Sequence, residues 1–243
     1  MTGDPHPLPR QLDGLSIVLP CLDEAANVVA AVRAATAAAE RVARAHEIVV
    51  VDDGSSDGTA ALAEGLAARD GRVRVLRHDG NRGYGAALRS GIAAARMPWI
   101  FLTDADLQFD LDELDAFVPL TAEADLVVGW RIARRDPLIR RANAAAWNWL
   151  VQHVFELDVR DVDCAFKLLR RDVVAGLELT SGGATISTEL LVKALANGAR
   201  LRQLGVHHRP RVAGRQSGAR PRVIVRALRE LTALHRTRPT IAG

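Results

Sequence analysis

The chain has 243 residues, 49% hydrophobic and 25% charged, with a net charge of +3. This is the balance of a soluble globular protein, long enough for one α/β domain with a substantial core, and it excludes a disordered or fibrous chain. Only Lys167 and Lys193 are lysines and arginine supplies the other basic residues, a skew read as codon usage rather than function.

Residues 1–13 read as a flexible, polar, proline-rich leader with no apolar signal core. Leu15 to Leu19 is a short apolar run between Gly14 and Pro20, the pattern of a buried parallel strand. An alanine-rich helix is expected from Glu24 to about Ala45, and a second buried strand over Glu47 to Val51. Thr59 to Ala68 predicts a helix, Val73 to Leu76 a strand, Gly85 to Ala95 a helix, and Trp99 to Thr103 a fourth strand. This alternation predicts a doubly wound, parallel α/β sheet with right-handed crossovers. Beyond residue 110 the pattern loosens. It gives a short helix over Asp110 to Leu120, a strand from Leu126 to Gly129 running into Trp130-Arg131, and a helix over Arg141 to Phe155. Asp163 to Leu169 reads equally as strand or turn, Ser187 to Ala196 as helix, Leu201 to His207 as strand and Pro221 to His235 as an amphipathic helix. The expected domains are 14–217 and a basic tail, 218–243. No stretch approaches the ~18 apolar residues of a membrane span.

Sheets of this kind bind ligands at the carboxyl ends of their strands. The unusual residues fall there: Pro20 to Glu24 after the first strand, Asp52-Asp53 after the second, Asp104-Ala105-Asp106 after the fourth. Carboxylates gathered on one edge repel unless a cation lies among them. Two acids one residue apart offer hard oxygens to Mg²⁺ or Mn²⁺, with positions left for phosphate. Asp57 and Thr59 read as a turn and helix cap. That leaves Asp52 and Asp53 for base or ribose contacts. Asn81 to Ala87 lacks the third glycine of a dinucleotide fingerprint and reads as a loop passing close to a ligand. Cys21 and Cys164 have no metal-ligand spacing and fit reduced cytosolic thiols.

Taken in order, SIVLPCLDEAANV from Ser16, EIVVVDDGSSDGT from Glu47, NRGYGAALRSG from Asn81, TDADLQFD from Thr103, VGWR from Val128, DCAFKLLRR from Asp163 and STELLVKALANG from Ser187 resemble family-2 glycosyltransferases of the GT-A fold. The narrower resemblance is to the dolichol-phosphate mannose synthase and polyprenyl-phosphate glycosyltransferase branch. It implies that Pro20, Asp23, Glu24, Asp53 and Asp104 line a nucleotide pocket, and that Asp104, Asp106 and Gln108 surround Mg²⁺ or Mn²⁺ and the diphosphate. It implies that Arg131 and Arg211 face phosphates, and that Asp163 and Lys167 lie near sugar and acceptor. Arg215 stands close to where relatives carry a lysine. Cys21-Leu22-Asp23 replaces the usual aromatic and asparagine of the first motif.

The donor implied is a nucleotide sugar of the GDP-mannose or UDP-glucose type. A polyprenyl phosphate acceptor is already anionic and needs no general base, so catalysis reduces to alignment and metal-assisted departure of the diphosphate, with inversion. A soluble hydroxyl acceptor would need a base, from Asp163 or Glu189. Residues 200–243 hold 11 arginines and one acid, Glu230. Along the last helix Ile224, Leu228, Leu231 and His235 form an apolar stripe, with Arg222, Arg226, Arg229 and Arg236 outside it. This suits either an anionic membrane surface or packing on the domain. The expectation is a cytoplasmic protein, free or peripheral on the inner face of the cell membrane. A non-catalytic nucleic-acid or membrane module would rest on the tail alone, and the acidic site argues against nucleic acid. A nucleotidyltransferase would carry a glycine-rich basic loop after the first strand, and Pro20 to Glu24 has none.

Overall fold

A computed structural model of the chain describes residues 11–132, 138–211 and 221–237, with the side chains of 138–141 and 221–225 outside the description. Its first half alternates as the sequence predicts: β1 (Leu15–Cys21), α1 (Val28–Val42), β2 (His46–Asp52), α2 (Thr59–Ala67), β3 (Val73–Arg77), α3 (Tyr84–Ala94) and β4 (Trp99–Leu102). Apolar runs with no polar alternation form strands covered on both faces, and the alanines of α1 allow it to lie close against them. Residues Leu111–Ala116 and Val118–Ala122 form two 3₁₀ turns where one short helix was expected. Pro119 at the start of the second has no N–H to extend an α-helical ladder. Then come β5 (Leu126–Ile132), α4 (Leu138–Phe155), β6 (Lys167–Arg170), the single turn α5 (Arg171–Val174), α6 (Ile186–Ala196), β7 (Leu201–His207) and α7 (Pro221–Arg236).

The seven strands form one sheet in the order β3-β2-β1-β4-β6-β5-β7. All pairings are parallel except those of β6 with β4 and β5. The ambiguous 163–169 segment is thus a turn leading into a reversed strand. Reversal has a functional consequence: the residues that precede β6 arrive at the same edge as the carboxyl ends of β1, β2, β4, β5 and β7.

Two cores flank the sheet. One packs α1 on Ile17, Leu19, Phe101 and Phe166. The other packs α3, α4, α6 and α7 on Val18, Val49 and Ile100, and includes Leu231 and Leu234, each 5% exposed. The end of the expected leader is docked: Leu12 is buried and pairs with Ala43. The last helix forms over the expected range, but its buried residues are Leu231 and Leu234, while Leu228 is 46% exposed and His235 touches Phe155 from the surface. Ile224 and Arg222 lie outside the described side chains. Among the described residues no helix is long and apolar enough to cross a membrane. Both cysteines are free and buried, Cys21 with its thiol pKa pushed up to about 12 and Cys164 to about 11, chiefly by burial.

Candidate active site

The exits of β1 and β2 are stitched together. Asp23 N donates to Ser55 Oγ at 2.9 Å and Asp23 Oδ1 accepts from Ser56 N at 2.8 Å. Glu24 N donates to Thr59 Oγ1 at 2.8 Å and Ala25 N to Asp57 Oδ2 at 3.0 Å. Asp57 also accepts from Thr59 N at 3.1 Å, the expected turn at the start of α2. Asp23 has a φ of 54°, tolerable for an aspartate whose side chain is locally bonded. Its carboxylate therefore shapes the loop. Pro20 sits within β1 opposite Val51, half-buried, one residue before the exit.

Asp53 is 3% exposed and also bonds internally. Its Oδ1 pairs with His78 Nδ1 at 2.7 Å and accepts from Arg82 N at 2.9 Å, while Oδ2 accepts from Gly83 N at 2.8 Å. His78, behind it, pairs with Ser90 Oγ at 2.9 Å. Asp53 thus fixes the loop entering α3, with little capacity left for a ligand. His78 escaped the sequence reading because nothing local to β3 marks it.

Asp104 and Asp106 lie two and four residues past β4. Tyr84 Oη donates to Asp104 Oδ1 at 3.0 Å. Asp106, 8% exposed, accepts from Gln108 N at 3.1 Å. Burial raises the Asp104 pKa, and burial with the neighbouring Asp104 charge raises that of Asp106 to about 6. Two hard oxygen donors, Asp106 buried and Asp104 partly so, with the Asp104 charge opposing ionisation of Asp106, fit a divalent cation, which would take one or two carboxylates and leave its other positions to phosphate oxygens and water. Among the described residues no third His, Cys, Asp or Glu clusters with them. Gln108 points elsewhere. Its Nε2 donates to Arg209 O at 2.9 Å and its own carbonyl accepts from Arg209 N at 2.7 Å, so it anchors the chain leaving β7. That chain delivers Arg211, which bonds Glu24 Oε1 and places Nη1 3.7 Å from Asp106 Oδ2. Arg215 lies outside the described residues.

At the β5–β6 side, Arg131 grips Asp161 through two bonds, Nε to Oδ2 at 2.7 Å and Nη2 to Oδ1 at 2.8 Å. Burial opposes the Asp161 charge, yet the guanidinium wins and holds its pKa low. Asp161 alternates with Asp163 along the chain, the one local signal that marks it. Most of the fork expected to face phosphate is thus engaged within the protein. Lys167 is 1% exposed and its Nζ donates to Val162 O at 3.1 Å and to Cys164 O. It braces the 162–164 turn from beneath, with its ammonium directed to the carbonyls of that turn. Asp163, in that turn, has a pKa raised mainly by burial and opposed by the Lys167 and Arg131 charges, and its Oδ1 is buried with no hydrogen-bond partner among the described residues.

Glu189 is 1% exposed and closed off. It accepts from Thr180 N at 2.9 Å, Thr180 Oγ1 at 3.0 Å, Ser181 N at 2.7 Å and Lys193 Nζ at 2.7 Å. Burial raises its pKa, but these bonds prevail and lower it. A saturated, low-pKa carboxylate is unsuited to the base role expected of it.

The sequence profile of Glycosyl transferase family 2 matches residues 16–177. The chain is 35% identical over 172 residues to the undecaprenyl-phosphate 4-deoxy-4-formamido-L-arabinose transferase of Pseudomonas paraeruginosa, covering 70% of this chain and 50% of that protein. It is 32% identical over 175 residues to the dodecaprenyl-phosphate galacturonate synthase of Rhizobium johnstonii, covering 70% and 52%. The chain thus spans about half the length of each. Glucosyl-3-phosphoglycerate synthase from Mycobacterium tuberculosis, solved with Mn²⁺, UDP-glucose and phosphoglyceric acid, superimposes with a TM-score of 0.68 at 19% identity, covering 90% of this chain and 80% of that one. With its acids on the edge this fold reserves for ligands, the chain belongs to glycosyl transferase family 2 and is a glycosyltransferase of the GT-A fold.

Proposed function

We propose that the protein transfers a hexose, with inversion, from a nucleotide sugar of the GDP-mannose or UDP-glucose type to a polyprenyl phosphate at the cytoplasmic membrane face. The observation that carries the donor half is the Asp104–Asp106 pair at the exit of β4. Burial raises the pKa of both acids, and a cation beside them would offset the cost of ionising them. A divalent ion bound there would neutralise charge on the departing nucleoside diphosphate. Tyr84 orients Asp104, the Gln108 N–H orients Asp106, and Arg211 supplies a positive charge beside them.

Support for the acceptor comes from two sides. The Pseudomonas and Rhizobium relatives are named for polyprenyl-phosphate substrates. The site is also poor in bases, since Glu189 is saturated and Asp163 lies beside Arg131 and Lys167. An acceptor that arrives ionised needs none. Incubating the protein with labelled nucleotide sugars, polyprenyl phosphate and Mn²⁺, with and without chelator, tests this; no lipid-linked sugar from any donor would end it.

One observation favours a second reading, transfer to a soluble hydroxyl. Asp163 hydrogen-bonds Trp147, yet its Oδ1 has no partner among the described residues and its pKa is raised, properties of a general base. As for the membrane, α7 spends Leu231 and Leu234 on the domain core, leaving Leu228, Arg229, Arg236 and, on α4, the 58% exposed Trp149 to meet an anionic surface.

A further inference from the structure

Two side chains of α7 reach over a loop of small residues, Ser181 to Gly183, and that loop abuts the turn beside Asp104. Glu230 Oε1 accepts from Gly182 N at 3.1 Å and from Arg226 Nε at 2.8 Å. Gly182 O accepts from Gly85 N at 3.1 Å. Between Gly83, tied to Asp53 at 2.8 Å, and Gly85 stands Tyr84, whose hydroxyl bonds Asp104 at 3.0 Å. A short relay of hydrogen bonds therefore runs from the C-terminal helix to the carboxylate pair.

The stack depends on missing side chains. A Cβ on Gly83 would overlap Gly182 O, and one on Gly182 would overlap the Arg226 guanidinium. Gly83 also has a φ of +100°, open to glycine at no steric cost. Glu230 Oε2 is buried over Gly183 with no hydrogen-bond partner among the described residues. Such an orphaned oxygen costs stability. Leu231 and Leu234 already anchor α7, so fastening the helix does not account for Glu230.

We propose that Glu230 is a positioning residue for the donor site: by latching the 181–183 loop it fixes the Tyr84 turn and so the aim of the Tyr84 hydroxyl on Asp104. The inference rests on reading Asp104 as a carboxylate of the metal–diphosphate site. Docking of α7 is then a condition for a formed donor site, and displacement of the helix loosens nucleotide binding from a distance.

Tyr84 is the only tyrosine in the chain, so ring-labelled tyrosine gives one set of NMR resonances from the full-length protein. Glu230→Gln, which keeps the shape, and Glu230→Ala are compared with wild type and with Thr232→Ala, an exposed residue whose hydroxyl donates to Leu228 O of its own helix. The Glu230 variants should shift or broaden the Tyr84 signals in the metal-free protein. They should also weaken UDP or GDP binding in Mn²⁺ by about tenfold, the scale of a lost charge-assisted hydrogen bond, with acceptor KM unchanged. Thr232→Ala should do neither. Tyr84 signals that coincide with wild type in both Glu230 variants overturn the latch; if Glu230→Ala does not fold, Glu230→Leu, which offers no acceptor oxygen, takes its place. A separate control isolates the underlying reading. Paramagnetic Mn²⁺ added with UDP or GDP must broaden the wild-type Tyr84 signals, and no broadening with either removes the metal from Asp104 whatever Glu230 does.

Discussion

Arg211 spans two strand exits, bonding Glu24 with one nitrogen and placing the other 3.7 Å from Asp106 Oδ2. It is 16% exposed at the side chain and stands where two carboxylates would otherwise face each other unscreened. The one guanidinium therefore ties the chain leaving β7 to the loops after β1 and β4.

Arg211→Ala should lower the melting temperature of the metal-free protein by an amount equivalent to about 1–3 kcal/mol, because Glu24 and Asp106 lose a buried counter-charge. Mn²⁺ should then stabilise the variant more than it stabilises wild type, since the ion replaces the missing charge. Thermal shifts of both proteins across an Mn²⁺ series check this, and equal shifts would contradict it.

The Asp106 carboxyl gives the site a pH signature. Its pKa rises from 3.8 to about 6 in the fold, first through burial and second through Asp104. A folded-state pKa above the unfolded one means that the native protein holds its proton more tightly. Metal-free stability is therefore fullest below the lower value and declines as pH climbs through that window, by on the order of 2–3 kcal/mol. Asp106→Asn should flatten this slope and lower transferase activity by about a hundredfold or more, the scale for removing a transition-state charge stabiliser. Denaturant unfolding with chelator at successive pH values measures the slope.

Asp163 and Glu189 are expected to behave oppositely on substitution. Glu189→Gln should cost about 2–3 kcal/mol of stability, since several donors lose a charged acceptor, while the pH–rate profile keeps its shape. Asp163→Asn should leave the rate with polyprenyl phosphate within about tenfold, whereas a base contributes 10²–10⁴. A collapse of that rate with an altered pH profile would instead support the hydroxyl-acceptor reading.

The Arg131–Asp161 pair is buried and bidentate, 16% and 7% exposed at the two side chains. Arg131→Ala or Asp161→Ala alone should destabilise by about 3–5 kcal/mol, because either leaves an uncompensated buried charge. Arg131→Lys should also destabilise, a lysine having no planar fork. Urea melts of the three variants check the ordering.

Surface contacts of α7 are separable from its packing. Arg229→Glu with Arg236→Glu should weaken binding to vesicles containing anionic phospholipid and leave the melting temperature nearly unchanged. Leu231→Ala should lower it, by about 2–5 kcal/mol in stability. Sedimentation with charged and neutral vesicles reads the first effect, and thermal unfolding the second.

Much of this molecule is legible along the chain because the relevant physics is local. The apolar runs at Leu15, Glu47 and Trp99 declare buried strands, and the acids directly after them declare a ligand edge. Asp104 and Asp106 stand out for the same reason: two hard oxygen donors one residue apart at a strand exit carry their chemistry in their spacing. What each remaining polar residue does was settled by partners distant in sequence. Asp53 reads as a ligand contact, and only the fold shows that His78 and the 82–83 backbone also bond it. Lys167 reads as a cation near sugar and acceptor, and only the reversed direction of β6 shows that it lies beneath the 162–164 turn. Residue type states what a group is able to donate or accept. Which partner meets it depends on strand direction and on loops packed from far along the chain, and a periodicity of apolar residues encodes neither.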